Sequence, residues 1–193
     1  MAPGNGDWQA AWHPVIAAVG TEFDPGPHEF VADVIEASAV RRYLEPLEFD
    51  CAIHVDADTA RENGHPAIVV PASALPTFAM APMWRPGERL FTNDERNAQP
   101  AKTPVSGVRA PQEPATTGFF ATNYDVEYLQ PAYVGDRLLR RGARLVACLP
   151  KETKVGRGAF LTWQSEIVNQ RIEVVARLQT SYFRYNPHPP AKP

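Results

Sequence analysis

Residues 156–186 read "GRGAFLTWQSEIVNQRIEVVARLQTSYFRYN", two long runs rich in Val, Leu, Phe, Tyr and Trp that break only around "QRI". β-Branched and aromatic residues at that density, interrupted by so short a connection, predict two strands folded back on each other. Two more runs of the same kind precede them, "TNYDVEYLQP" (122–131) and "RLLRRGARLVACL" (137–149), with "PAYVGD" and "PKETKVG" as the connections. Strands joined this tightly run antiparallel, so the last third of the chain predicts one antiparallel sheet.

The chain toward the N terminus is different in kind. Trp8, Trp12, Val15, Ile16 and Val19 recur at helical spacing and are interrupted by Pro14, which predicts a short helix or two turns packed on the body within an N-terminal extension, 1–29. "HEFVADVIEAS" (28–38) alternates Phe30, Ala32 and Val34 with polar positions and reads as a strand. Ser38 is a candidate N-cap for a helix over "AVRRYLEPL" that Pro46 stops. "DADTARENG" predicts a second short helix, capped by Asp56 or Asp58 and closed by Gly64. One early strand, a helix and then the remaining strands make an α+β chain. Such a chain buries its central helix by wrapping a curved antiparallel sheet around it, which is the hot-dog architecture. The expected domain runs over 30–186, followed by the Pro-rich tail 187–193, which is either a linker or simply an end.

Within that domain, 82–118 carries recurrent Pro and Gly and little periodicity, and predicts a long loop. Trp84, Leu90 and Phe91 are its apolar anchors. They either roof a substrate channel or tether a flexible excursion.

Composition excludes several classes. The 193 residues have a formal net charge of -3, and the longest basic cluster is Arg137, Arg140, Arg141 and Arg144 on an expected strand, so no nucleic-acid partner is expected. The start of the chain lacks the charged and apolar pattern of a signal peptide, and no run reaches membrane-spanning length, so the expectation is a soluble cytoplasmic protein without a membrane partner. Cys51 and Cys148 stand among apolar neighbours and are expected to be buried thiols rather than a disulfide or zinc site. The histidines at 13, 28, 54, 65 and 188 show no ligand spacing, so no metal is expected.

Several stretches taken in order carry a resemblance. "VIEASAVRRYLEPL", "IHVDADTARENGHPAIVVPASAL", "YLQPAYVGDRL" and "KVGRGAFLTWQSEIVNQRIEVVA" together resemble the MaoC-like hydratase/dehydratase superfamily, and most closely its N-terminal, fatty-acid-synthase-type dehydratase domain. The resemblance covers about 31–186. It implies the same hot-dog fold and hydration or dehydration of an acyl thioester, carried by coenzyme A or a carrier protein, without a cofactor. That reaction needs one group for the water proton and another for the proton next to the carbonyl, with donors on the thioester oxygen.

In active members the resemblance implies an Asp and a His separated by four residues, with Asn and Pro between them. His54 falls on the His position, but Phe49 stands where the Asp belongs, and Cys51 and Ala52 replace Asn and Pro. Asp50 lies one place later, a slip of roughly 3–4 Å in extended chain. Two readings stand open. Either the backbone re-routes so that Asp50 and His54 form the catalytic pair, or the pair is a remnant and the chain is the structural half of a double hot-dog. A cofactor-free cyclase or isomerase is a third.

Ala72 and Ser73 fall where helix amides meet the thioester oxygen, or are small residues that let the helix start near the sheet. His65 is a pocket-mouth candidate or a surface-loop histidine, and Asp136 reads as a turn residue. An isolated hot-dog sheet has an open edge, so a homodimer or a heterodimer with a second hot-dog chain is expected.

Overall fold

A computed structural model describes residues 7–100 and 109–189. The readings that fall on 1–6, 101–108 and 190–193 lie outside the described residues: the start of the N-terminal extension, the middle of loop 82–118 and the end of the tail.

The four C-terminal runs form β1 (Gly118–Tyr128), β2 (Leu138–Thr153), β3 (Gly156–Asn169) and β4 (Val174–Pro187). They make one sheet in the order β1-β4-β3-β2, with every neighbouring pair antiparallel. β1 and β2 are consecutive in the chain yet occupy opposite edges. Along β3, Ala159, Leu161, Trp163 and Ile167 alternate and are buried, so one face of the sheet carries the core. Two clusters share that face end to end. One gathers Leu138, Ile167, Val175 and Leu178, and the other gathers Leu145, Ala159, Leu161 and Trp163.

Two details explain the sequence motifs of this region. Gly118 and Gly158 flank Tyr185 on the neighbouring strands, and a Cβ on Gly158 would lie 2.0 Å from the Arg184 carbonyl oxygen. Only glycine fits there. In the β3–β4 hairpin the buried Asn169 amide accepts from Arg171 N (3.0 Å) and Glu173 N (3.1 Å), while Gln170 Nε2 donates to Asp136 (2.8 Å). Asp136 also accepts from Tyr133 N at 2.8 Å, so the "VGD" acid is a turn residue that pins the hairpin.

Before the sheet, a 3-10 turn (Ala10–Trp12) leads into α1 (His13–Ala17). Pro14 sits in the first turn of α1, where a missing N–H does no harm, so it starts the helix instead of interrupting it. Trp12 and Val15 pack on the second cluster. The strand expected over 28–38 does not form. Ala32 and Ile35 are buried and Val34 is 48% exposed, a spacing of three that breaks strand alternation. The segment keeps a single bridge, Val34 to Arg137.

α2 (Ala37–Leu44) is preceded by Glu36 as N-cap, and Ser38 lies inside its first turn, where its hydroxyl donates to Glu36. α2 ends at Leu44, two residues before Pro46, and the chain tightens into a 3-10 turn (Glu45–Leu47) that accepts proline near its start. α3 (Ala57–Glu62) is capped by Asp56, which accepts from Thr59 N at 2.6 Å. Gly64 follows with φ +85°, the left-handed position that glycine favours.

The helix that the sheet wraps is short: a 3-10 turn (Ala72–Ala74) followed by α4 (Leu75–Phe78), with Leu75 and Ala79 in the first cluster. The architecture is an α+β hot-dog with a curtailed central helix. No strand or helix follows α4 among the described residues until β1 at Gly118, four positions before the sequence run begins.

The basic cluster is absorbed by the fold. Arg137 Nε donates to Ala32 O, Arg140 Nε to Ser165, Arg144 Nε to Gly20 O, and Arg141 pairs with Glu166. Cys51 and Cys148 are free thiols and half-buried rather than fully buried. No helix among the described residues is long and apolar enough to cross a membrane.

Candidate active site

A cavity of about 750 Å³ opens beside the first cluster. The last turn of α2 supplies Tyr43 and Leu44, the next bend Leu47 and Phe49, the short helix Ala72, Ser73 and Leu75, and the end of β1 Tyr128 with Leu129 and Gln130. His54 lines it as well. The wall is chiefly apolar, as acyl-binding cavities require, with a few polar groups to orient a ligand.

His54 is fixed by two bonds between the same pair of segments. Residues 52–54 form a 3-10 turn, Val69 N donates to Ile53 O at 3.0 Å, and His54 Nδ1 lies 2.7 Å from Val69 O. A carbonyl oxygen only accepts, so Nδ1 carries a proton, and a lone pair on this ring can sit only on Nε2. When neutral, the ring has the tautomer of a general base.

Among the described residues that line the cavity there is no Asp or Glu to complete an acid/base pair. Phe49, on the position where the resemblance implies an acid, has its ring centroid 5.8 Å from that of His54. Asp50 is exposed and lies off the cavity. Phe49 takes the place on the wall beside the His54 ring, and the one-residue slip leaves Asp50 outside it.

The other expected site residues divide. Ala72 and Ser73 line the cavity, and Ser73 Oγ accepts from Tyr43 Oη at 3.1 Å. The helix behind them is four residues long, so its dipole adds little there. His65 lies off the cavity, half-buried with Nδ1 3.4 Å from Tyr133 Oη. Trp84 does not roof it. The residue is 48% exposed, is not part of the cavity wall, and its Nε1 donates to Glu88 O within the loop. Leu90 and Phe91 line a separate hollow made by the loop itself.

Sequence reasoning missed Tyr43, Tyr128 and Gln130 as cavity residues. Their signals were present: Tyr43 stands three residues after the buried Val40 on α2, and Tyr128 and Gln130 belong to the "YLQP" segment that carried part of the resemblance.

Comparison with known proteins agrees with the fold. Residues 17–178 match the FAS1-like, dehydratase domain region. The chain is 24% identical over 155 residues to a "Probable enoyl-CoA hydratase alpha subunit" of Thermomonospora curvata, a match that takes in 80% of this chain and 46% of that protein. The chain thus spans about half the length of the curated relative it matches. Among solved structures it resembles the ChsH1-ChsH2 complex of Mycobacterium tuberculosis, with TM-score 0.63, 22% identity, and 93% of this chain and 96% of that one covered. It also resembles a MaoC-like dehydratase from Rhodospirillum rubrum, with TM-score 0.54, 24% identity, and 89% and 94% covered.

Proposed function

The chain belongs to the FAS1-like dehydratase domain family, and from that premise we propose that it is the acyl-binding subunit of a two-chain hydratase/dehydratase of acyl thioesters. The observation that carries the reading is the wall of the cavity, which among the described residues holds a histidine whose Nδ1 faces a carbonyl oxygen and no carboxylate. In hydration of an enoyl thioester, His54 Nε2 takes the proton from water as its oxygen attacks the β-carbon. A second acid gives a proton to the α-carbon, and donors at Ala72 and Ser73 hold the thioester oxygen as enolate charge grows. Dehydration runs the same steps backward, and neither direction needs a cofactor.

The second acid comes from a partner hot-dog chain. β1 is an edge strand with Phe119, Phe120, Tyr124 and Tyr128 exposed between 41% and 48%, an apolar surface suited to a neighbour. Tyr128 also lines the cavity, so a chain paired along β1 stands at its mouth. The name of the Thermomonospora relative, an alpha subunit, and the two-chain ChsH1-ChsH2 neighbour support such an assembly. The free thiols of Cys51 and Cys148 suit a cytoplasmic setting.

The test uses the purified chain alone. Calorimetric titration with octanoyl-CoA should show binding, and crotonyl-CoA and 2-octenoyl-CoA should keep their enoyl absorbance. Turnover by the lone chain that falls at least about a hundredfold in both Asp50→Asn and His54→Ala, the scale of a lost acid/base group, would instead make Asp50 the working acid.

A further inference from the structure

We infer that Tyr43 is a positioning residue that aims the Ser73 hydroxyl proton into the cavity, toward the carbonyl oxygen of a bound acyl thioester. The inference rests on the acyl-binding reading above and names the contact that recognises the thioester.

Tyr43 and Ser73 are 30 residues apart and meet at 3.1 Å, with the phenol donating to Ser73 Oγ. The direction follows from chemistry, because a phenol ionises near 10 and is a better donor and poorer acceptor than an aliphatic hydroxyl. The phenol is also held in place. Tyr43 packs on the first core cluster, and its ring lies 6.4 Å from that of Phe78 at 49°. With one lone pair of Oγ occupied by the phenol, the Ser73 proton is left to point elsewhere, and both residues line the cavity. An acyl chain offers one polar atom along its length, the thioester oxygen, and that oxygen needs a donor. A hydroxyl supplied by a side chain also makes good what the curtailed helix lacks, since a four-residue helix adds little dipole field at the same place.

The experiment is calorimetric binding to the full chain of two ligands, octanoyl-CoA and its thioether S-octyl-CoA, which lacks only the carbonyl oxygen. Ser73→Ala should weaken octanoyl-CoA binding by roughly threefold to tenfold, the scale of one neutral hydrogen bond, and Tyr43→Phe by roughly twofold to threefold. Neither substitution should alter S-octyl-CoA binding. In the double variant the loss should equal that of Ser73→Ala, because Tyr43 acts only through Ser73. Equal weakening of both ligands by Tyr43→Phe, or a loss from Tyr43→Phe that persists in the Ser73→Ala background, would overturn the inference and leave Tyr43 a packing residue. If the wild-type chain binds neither ligand, the acyl-binding reading itself fails and the inference falls with it.

Discussion

The two ends of the core face solve opposite problems. At the first cluster the sheet is left open: Leu47, Phe49 and Leu129 stand 58%, 51% and 39% exposed around a cavity that holds Tyr43, His54 and Ser73. At the second cluster the face is sealed. α1 brings Trp12 and Val15, and the end of the long loop brings Ala110 and Glu113. The Glu113 side chain is wholly buried, accepts from Ala110 N at 2.8 Å, and lies 3.1 Å from Arg184 and 3.2 Å from Arg109. Burial pushes the Glu113 carboxyl above its ordinary range and the Arg184 guanidinium below its own, in each case against the pull of the opposite charge. Burial, with a smaller push from Glu113, also takes the nearby Cys148 thiol up to about 11. A displaced titration is a common mark of an active site. Here the displaced groups close the fold, and the cavity that His54 lines lies at the other end.

The largest effect should therefore come from the sealed end and touch stability alone. Glu113→Ala leaves the Arg184 charge buried without that carboxylate and should destabilise the chain by about 3–5 kcal/mol, read from urea unfolding. Replacing the pair together, Glu113→Leu with Arg184→Met, should restore most of the loss, because the desolvation of both charges disappears with them. The pair also has a pH signature. The folded Glu113 value lies above the unfolded one, so its contribution is fully present below the ordinary value of 4.5 and is lost as pH rises through the folded value. Glu113→Gln should flatten that falling segment of the stability profile. Gly158→Ala comes next. Its Cβ would strike the Arg184 carbonyl at the same end, and the forced shift of strand backbone should cost about 1–3 kcal/mol.

The sealed end was also the less legible in the sequence. The sheet was plain because four runs of β-branched and aromatic residues with short connections admit few arrangements, although β1 and β2 at opposite edges cannot be read from strand signals. Glu113 sits in a stretch of Pro, Gln and Thr that reads as solvated loop. Nothing local announces that its carboxylate is buried, since the partner that holds it is 71 positions away. The false strand at 28–38 fails for a related reason. Its alternation was judged at Phe30, Ala32 and Val34, whereas long-range packing buries Ala32 and Ile35. At the open end His54 was visible from its place in a motif, and Tyr43 was hidden because a tyrosine on the apolar side of a helix reads as core.

Stability should respond far less at the open end than at the sealed one. His54→Ala removes one bond to Val69 O from a half-buried ring and should cost about 0.5–1.5 kcal/mol. The same substitution removes the only histidine on the cavity wall among the described residues, so if the proposed two-chain hydratase forms, it should lower kcat at least about a hundredfold. A stability loss as large as that of Glu113→Ala would mean that the open end is a core in its own right, and the contrast between the two ends would collapse.

The smallest effect tests what holds His54 in place. Asp56 follows it by two positions and caps α3, and its carboxyl is held below its ordinary value of 3.8, chiefly by hydrogen bonds from Thr59. A folded value below the unfolded one means that the stabilisation is present above 3.8 and is lost as pH falls through the folded value. Asp56→Ala should lower the urea midpoint slightly at neutral pH and remove that acid limb, whereas Asp56→Asn should keep most of the cap and lose only the limb. The readout that matters for the site is the nitrogen NMR spectrum of His54, where the bond to Val69 O keeps the proton on Nδ1. If fraying of α3 in Asp56→Ala mixes the two tautomers, the cap holds the base in register. If the spectrum is unchanged, the clip between Ile53 and Val69 is sufficient, and the open end owes its geometry to the 52–70 segment rather than to the helix within it.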